Sequence, residues 1–339
     1  MSSNQTSPYH YVRPEVLPLL ASGELFTRAD KAPTRASFAT AIIDIGRQSP
    51  KVVVLDADVS KSIGTNKFAA EFPERSFNFG IAEQNMFAAA AGMATTGLIP
   101  FACTYAVFAS MRALDQVRNA IHYPRLNVKI AASHSGITPG PDGVTHQGQE
   151  DLSILRAVAN STVIAPADAD TTTLAVHAAA AYDGPVYLSF TRDPVPKIFT
   201  PDYPFAIGKA VTVRDGADVT IIAMRDLTAH ALVAAEQLAA KGIDARVIDC
   251  PTLKPLDTET ILAAARETGA VVTAENNVIF GGLGSAVAEL LVENLPLPMQ
   301  RIGVQDTFAE SGPYLDLLNK YGLSAPHIAA AAERVIKRK

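Results

Sequence analysis

A chain of 339 residues is too long for one ordinary core and suits two domains. Its 48% hydrophobic and 19% charged residues fit a compact globular protein and exclude a disordered or fibrous one. The 34 acidic against 29 basic residues leave a net charge of −5, which excludes a basic field for nucleic acid or an anionic membrane, so an anionic ligand must be met by local groups.

Residues 1–30 are rich in Ser, Pro and Tyr, carry one short helix-like stretch from Glu15 to Leu25, and read as an extension or docking arm. Neither a signal-peptide core nor an apolar run of membrane length is present, and a cytoplasmic, unanchored location is expected. From Thr34 a helical pattern (RASFATAIIDIGRQ) leads into the β-branched run KVVVLDAD, and VKIAAS, STVIAPA and PVYLSF follow as further buried strands. Continuous apolar strands alternating with Ala-rich helices predict an α/β fold with a doubly wound, mostly parallel sheet over residues 31–195. The segment with Pro194, Pro196, Pro201 and Pro204 breaks regular structure, and residues 196–210 read as a linker. A second, smaller doubly wound domain is predicted over 211–339 from VTIIAM, HALVAAEQLAAKG, ARVIDC, AVVTAEN and GLGSAVAELLVEN. Cys103 and Cys250 lie far apart in apolar runs, so neither a disulfide framework nor a thiolate metal site is expected, and a reducing compartment fits.

Open parallel sheets bind ligands beyond the carboxyl ends of their strands, so polar residues following β-runs are the candidates. Asp56, Asp58, Ser60 and Ser62 follow VVVLD, where a loop with a helix cap explains them equally well. Glu83 opens a helix of small and apolar residues. It either complements the helix dipole or, surrounded by apolar side chains, stays protonated and donates to a heterocycle nitrogen. Tyr105, Phe108 and Met111 stand at i, i+3 and i+6, along one side of a helix if the turn starts there; they suit a stacked flat ring or ordinary core. The segment SHSGITPGPDGVTHQGQEDLS, carrying His134, Asp142 and His146, is poor packing material and reads as a ligand loop. Its two histidines match no helix-borne metal pair, so hydrogen bonding or acid–base work is the better reading, and no metal ligands are assigned in this chain. The run GGLGS at Gly281 to Ser285 could cap a helix over an anion but is no full dinucleotide fingerprint, and the second domain is assigned to assembly.

In this order GIAEQNM, PF-xx-TY-xx-F and GPDGVTHQ resemble the pyrimidine-binding domain of transketolases, and the resemblance covers most of residues 34–330. It implies thiamine diphosphate as cofactor, with Glu83 on a ring nitrogen, Tyr105, Phe108 and Met111 around the pyrimidine, and Asp58 among the cofactor-binding residues. It also implies sugar-hydroxyl contacts from His134, Asp142 and His146, with His146 and His134 as catalytic residues beside Glu83. Arg35, Ser62, His134 and Arg192 would hold the substrate phosphate, an arginine fork suiting that group. The family usually reads Gly-Glu-Asp-Gly-Pro-Thr-His, and Pro141 and Val144 replace two of those residues here, which points to a different substrate. The Gly-Asp-Gly motif with a later Asn, through which the family holds Mg2+ and diphosphate, is not found, nor is a cofactor domain before Thr34. The resemblance therefore implies the C-terminal subunit of a split transketolase acting on sugar phosphates. An N-terminal partner subunit would hold the diphosphate and metal, and two copies of each would assemble. The same domain pair also occurs in 1-deoxyxylulose-5-phosphate synthase and in beta subunits of 2-oxo acid dehydrogenases, and a non-catalytic regulatory subunit is a further alternative.

Overall fold

The computed structural model describes residues 7–339; the first six residues of the expected extension lie outside the described ones. The first half is a seven-stranded sheet built on β1 (Val52–Asp56), β2 (Ser76–Asn78), β3 (Ile99–Tyr105), β4 (Lys129–Ser133), β5 (Thr162–Ile164) and β6 (Val186–Ser189). The second half is a five-stranded sheet of β7 (Val211–Arg214), β8 (Val219–Ala223), β9 (Ala245–Asp249), β11 (Val271–Val278) and β12 (Met299–Val304). The intervening strand β10 (Thr252–Lys254) leaves its own half and pairs antiparallel with β5, at the edge of the first sheet. The first sheet thus runs β10-β5-β6-β4-β3-β1-β2, parallel throughout except for β10, and the second runs β12-β11-β8-β9-β7, parallel except for β7.

Every residue of β1 is buried because both faces of the sheet are covered, which is why these strands read as unbroken apolar runs. On one face Phe38 and Ile42 of α1 (Thr34–Gln48) and Val176 of α3 (Ala169–Ala181) pack on Val52, Val54, Phe101 and Leu188. On the other, Met86, Phe87 and Ala90 of α2 (Glu83–Thr95) cover Val53, Leu55, Ala102 and Ile130. That second cluster continues into Ile222, Ile248 and Leu253, so the two halves share one apolar layer.

The proline-rich linker is packed, not free. Ile198, Phe199 and Tyr203 are buried, Asp168 accepts the amides of Ile198 and Phe199 at 2.9 Å each, and the Tyr203 hydroxyl donates to Asp249 at 2.7 Å. The described part of the extension also docks: Val12, Val16, Leu20 and Leu25 are buried in the core of the second half, alongside α4 (Leu227–Ala239). Burying such side chains is worth about 1.5–3 kcal/mol each, enough to hold a segment with little regular structure.

The GGLGS run is answered by the protein itself. Glu275 at β11 accepts the amides of Leu283 and Gly284, at 2.9 and 2.8 Å, at the start of α5 (Leu283–Asn294). A Cβ at Gly282 would run into that carboxylate, so the glycine is required by close approach. The anion capped by this helix is therefore internal, and burial pushes the Glu275 carboxyl up to about 7. Among the described residues no helix is long and apolar enough to cross a membrane.

Candidate active site

Parallel pairing brings the carboxyl ends of β1, β2, β3, β4 and β6 to one edge. Asp56 is in register with Asn78 and Cys103, Tyr105 with Ser133, and Ala132 with Ser189. The residues that follow each strand therefore converge: Asp58 after β1, Glu83 after β2, Phe108 after β3, His134 after β4 and Arg192 after β6.

Two arginines are brought together by a backbone clasp. Lys31–Ala32 pairs antiparallel with Val195–Pro196, and Thr34 and Thr191 exchange hydrogen bonds, Thr34 N to Thr191 Oγ1 at 3.1 Å and Thr191 N to Thr34 Oγ1 at 2.7 Å. Their neighbours Arg35 and Arg192 then lie side by side, with Arg35 Nε donating to the Arg192 carbonyl at 3.2 Å and Nη1 to Ser62 Oγ at 3.4 Å. Among the described residues Arg35 forms no salt bridge; burial, and then the nearby Arg192, lower its pKa from the usual guanidinium value. Two adjacent guanidinium groups, one lacking a carboxylate, make a site that an oxyanion would stabilise. Arg192 is better compensated, pairing with Asp193 at 2.6 Å and with Asp142 at 3.2 Å.

His134 stands at the centre of this edge. Its backbone is left-handed, φ 64°, an uncommon conformation for a non-glycine residue, and its imidazole stacks on Tyr105 at 3.7 Å between ring centroids. Ser133 Oγ lies 2.8 Å from Nδ1, and Nε2 lies 3.8 Å from Asp142. Burial first, then Arg35 and Arg192, push its pKa down to about 3, so the ring is neutral at physiological pH. His146 is half-buried and packs edge-on against both Tyr105 and Phe108, at 5.9 and 6.0 Å.

Glu83 is 2% exposed and begins α2, but its surroundings differ from the apolar cradle expected of its helix. Arg112 Nη1 donates to both carboxylate oxygens at 3.0 Å, and the same guanidinium lies 4.1 Å above the Phe108 ring. Sequence reasoning passed over Arg112, although a signal existed: residues 84–111 contain no Asp, Glu, Lys or Arg, so Glu83 and Arg112 are opposite charges bounding an uncharged run. A buried carboxylate needs a partner, and this is the next charge along the chain.

The aromatic spacing works differently from a helical stripe. Tyr105 is the last residue of β3, and Phe108–Arg112 forms a π-helical turn, so the three positions do not share an α-helix. Tyr105 and Phe108 still stack at 5.6 Å, whereas Met111 is 42% exposed on the wider turn. Asp58 is exposed, in a left-handed conformation with φ 64°, and accepts a hydrogen bond from Asn78 at 3.1 Å. Its neighbour Asp56 is a loop anchor, accepting from Val59 N at 2.8 Å and Thr65 Oγ1 at 3.0 Å, with burial raising its pKa.

This arrangement can stack a flat ring on aromatic faces, present a carboxylate to its edge, and hold a polyhydroxylated anionic molecule between histidines and arginines. Two family models match the chain: the transketolase pyrimidine binding domain over residues 30–197 and the transketolase C-terminal domain over residues 208–328. The chain is 43% identical over 305 residues to the 6-deoxy-6-sulfo-D-fructose transketolase subunit SqwH of Clostridium sp. (strain MSTE9), covering 90% of this chain and 95% of that one. It is 37% identical over 305 residues to an apulose-4-phosphate transketolase subunit of Phocaeicola vulgatus, covering 90% and 97%. A solved structure described as a split gene transketolase, inactive beta4 tetramer, superposes with a TM-score of 0.84 at 49% identity, covering 91% of this chain and 99% of that one. The chain belongs to the transketolase family, as a pyrimidine-binding and C-terminal section like the split-transketolase subunits it matches.

Proposed function

We propose that this chain works with an N-terminal subunit as a thiamine-diphosphate-dependent transketolase, moving a two-carbon ketol unit from a ketose with a terminal oxyanion to an aldose. The observation that carries this reading is the meeting of Glu83, the Tyr105–Phe108 pair, the two histidines and the Arg35–Arg192 pair at one sheet edge. The cofactor, when bound, supplies the nucleophilic carbon and accepts the electrons released as the carbon–carbon bond breaks.

The residues present fit its aminopyrimidine. The Arg112 guanidinium is itself a planar N–H donor, lying on Phe108 and donating to Glu83, and an aminopyrimidine offers the same combination of flat face and polar edge. Arg112 has a half-exposed side chain and would yield its place. Glu83 would then hold a proton at the ring nitrogen, with Tyr105 and Phe108 orienting the ring, and Asp58 and Met111 belong to its surroundings in this reading. The diphosphate and Mg2+ are assigned to the partner, by the family's division of labour.

On the substrate side, neutral His134 hydrogen-bonds a hydroxyl, Asp142 senses its configuration, and His146 moves the proton. Arg35, Arg192 and Ser62 take the terminal oxyanion. Phosphate and sulfonate both suit such a site, and the two relatives act, by their names, on sugars carrying one or the other. Arg192→Ala should raise KM for a phosphorylated or sulfonated ketose by roughly 10- to 100-fold, the worth of a lost charge-assisted hydrogen bond, and spare unsubstituted sugars. Equal losses on charged and uncharged sugars would refute the oxyanion contact.

The decisive experiment is calorimetric titration of thiamine diphosphate and Mg2+ into this chain alone and then with an N-terminal transketolase subunit, followed by a ketol-transfer assay. Tight binding and turnover are expected only for the pair. Tight binding by this chain alone would overturn the proposed division, and binding by the pair without turnover would overturn ketol transfer.

A further inference from the structure

The loop bearing His134, Asp142 and His146 combines short turns of its own, such as Gly140 N to the Ile137 carbonyl and His146 N to the Gly143 carbonyl, both at 3.1 Å, with anchors from both halves of the chain. Within the loop, Gly148 N donates to the His134 carbonyl at 3.2 Å and Gly136 N to the Gly148 carbonyl at 2.7 Å, which closes its neck. From the first half, Ser135 N donates to the Phe190 carbonyl at 3.1 Å and Arg192 N to Thr138 Oγ1 at 3.1 Å; further anchors come from the second half of the chain. Asn276 Oδ1 accepts the amide of Ile137 at 3.0 Å, Val278 N donates to the Gln149 carbonyl at 2.7 Å, and Gln147 Nε2 donates to the Glu310 carbonyl at 3.1 Å. Gly136, with φ 60°, lies so close to Asn276 that a Cβ there would strike its carbonyl oxygen.

Asn276 is fixed in turn. It is 1% exposed, and its Nδ2 donates to Asp226 Oδ2 at 2.9 Å. Tyr314 donates its hydroxyl to the same carboxylate oxygen, and Arg225 Nε donates to Asp226 Oδ1 at 3.1 Å. The Arg225 guanidinium also donates to the Asn276 carbonyl and, through Nη1, to Ser189 Oγ at 2.8 Å. Ser189 ends β6, three residues before Arg192. Arg225 is 1% exposed and has a left-handed backbone, φ 56°. One buried polar network therefore reaches both the loop of His134 and the strand end that carries Arg192, and every member named is satisfied, the condition under which such a network rigidifies its surroundings.

We propose that Asn276, held by Asp226, Tyr314 and Arg225, is a positioning residue for the substrate loop, so that the C-terminal domain sets the fit of the sugar. This rests on the reading of that loop as the sugar site. Asn276→Ala deletes both the acceptor for Ile137 and the donor to Asp226; Tyr314→Phe removes only a hydroxyl behind Asp226 and guards against a variant that fails to fold. Amide hydrogen exchange in the assembled two-subunit enzyme should show faster exchange across residues 134–149 in Asn276→Ala, with β1 and β8 unchanged, and a smaller effect in the same segment for Tyr314→Phe. With D-fructose 6-phosphate as donor, KM should rise or kcat/KM fall on the order of 10- to 100-fold, as for a misplaced binding group, with the Kd of thiamine diphosphate unchanged. Unchanged exchange in the loop, or exchange raised equally in both sheets, overturns the proposal. If the wild-type pair turns over no ketose at all, the functional reading fails, and the exchange pattern alone still decides whether Asn276 sets the loop.

Discussion

Glu83→Gln is expected to lower ketol transfer by the assembled enzyme on the order of 10² to 10⁴, the general worth of a positioned acid or base, while the subunits still associate. The substitution keeps the shape of the side chain and removes its ability to share a proton with a ring nitrogen. It also removes the charge that Arg112 addresses through both oxygens. Loss of that pair should cost the fold little, because the Arg112 side chain is 46% exposed and its guanidinium retains Phe108 and solvent. Turnover and sedimentation of the assembled variant separate the two effects. Near-normal turnover would remove Glu83 from the chemistry, and loss of assembly would make it a structural residue.

The parallel sheets were legible because burial on both faces forces continuous apolar strands, and β1, β4, β6, β8 and β9 lie inside such runs. The edge strand β10 was not legible, since three residues that pair with a sheet formed 90 positions earlier carry no local periodicity. The convergence of Arg35, Ser62, His134, Asp142 and Arg192 was nameable only through the family resemblance. What makes it physical is the Thr34–Thr191 clasp, an exchange between residues 157 apart that composition and spacing do not encode. The aromatic spacing misled because an i, i+3, i+6 pattern presumes an α-helix, whereas here it straddles a strand end and a π-helical turn. The Asn276 network was invisible for a similar reason: AVVTAEN reads as one more strand, and only the tertiary structure sets its last polar residues beneath the loop of the first half.

The two histidines of the loop have different surroundings, and substituting them should have different kinetic effects. His134 is held neutral down to about pH 3 by burial and by two guanidinium groups, so it has no protonated form to contribute in the physiological range. Its ring serves through its hydrogen bond with Ser133 and its stack on Tyr105. His146 is half-buried, its Nδ1 is 3.1 Å from Thr145 Oγ1, and its ring packs edge-on against Tyr105 and Phe108 where a sugar would enter. His146→Ala is therefore expected to cost on the order of 10² to 10⁴ in kcat, with thiamine diphosphate affinity preserved. His134→Ala, by contrast, should act mainly through substrate KM, because it deletes a neutral hydrogen-bonding group and a stacking surface. Steady-state kinetics of both variants with one ketose donor distinguish them. A change confined to KM in His146→Ala would make it a binding residue and leave the proton to be carried by another group of the assembled site.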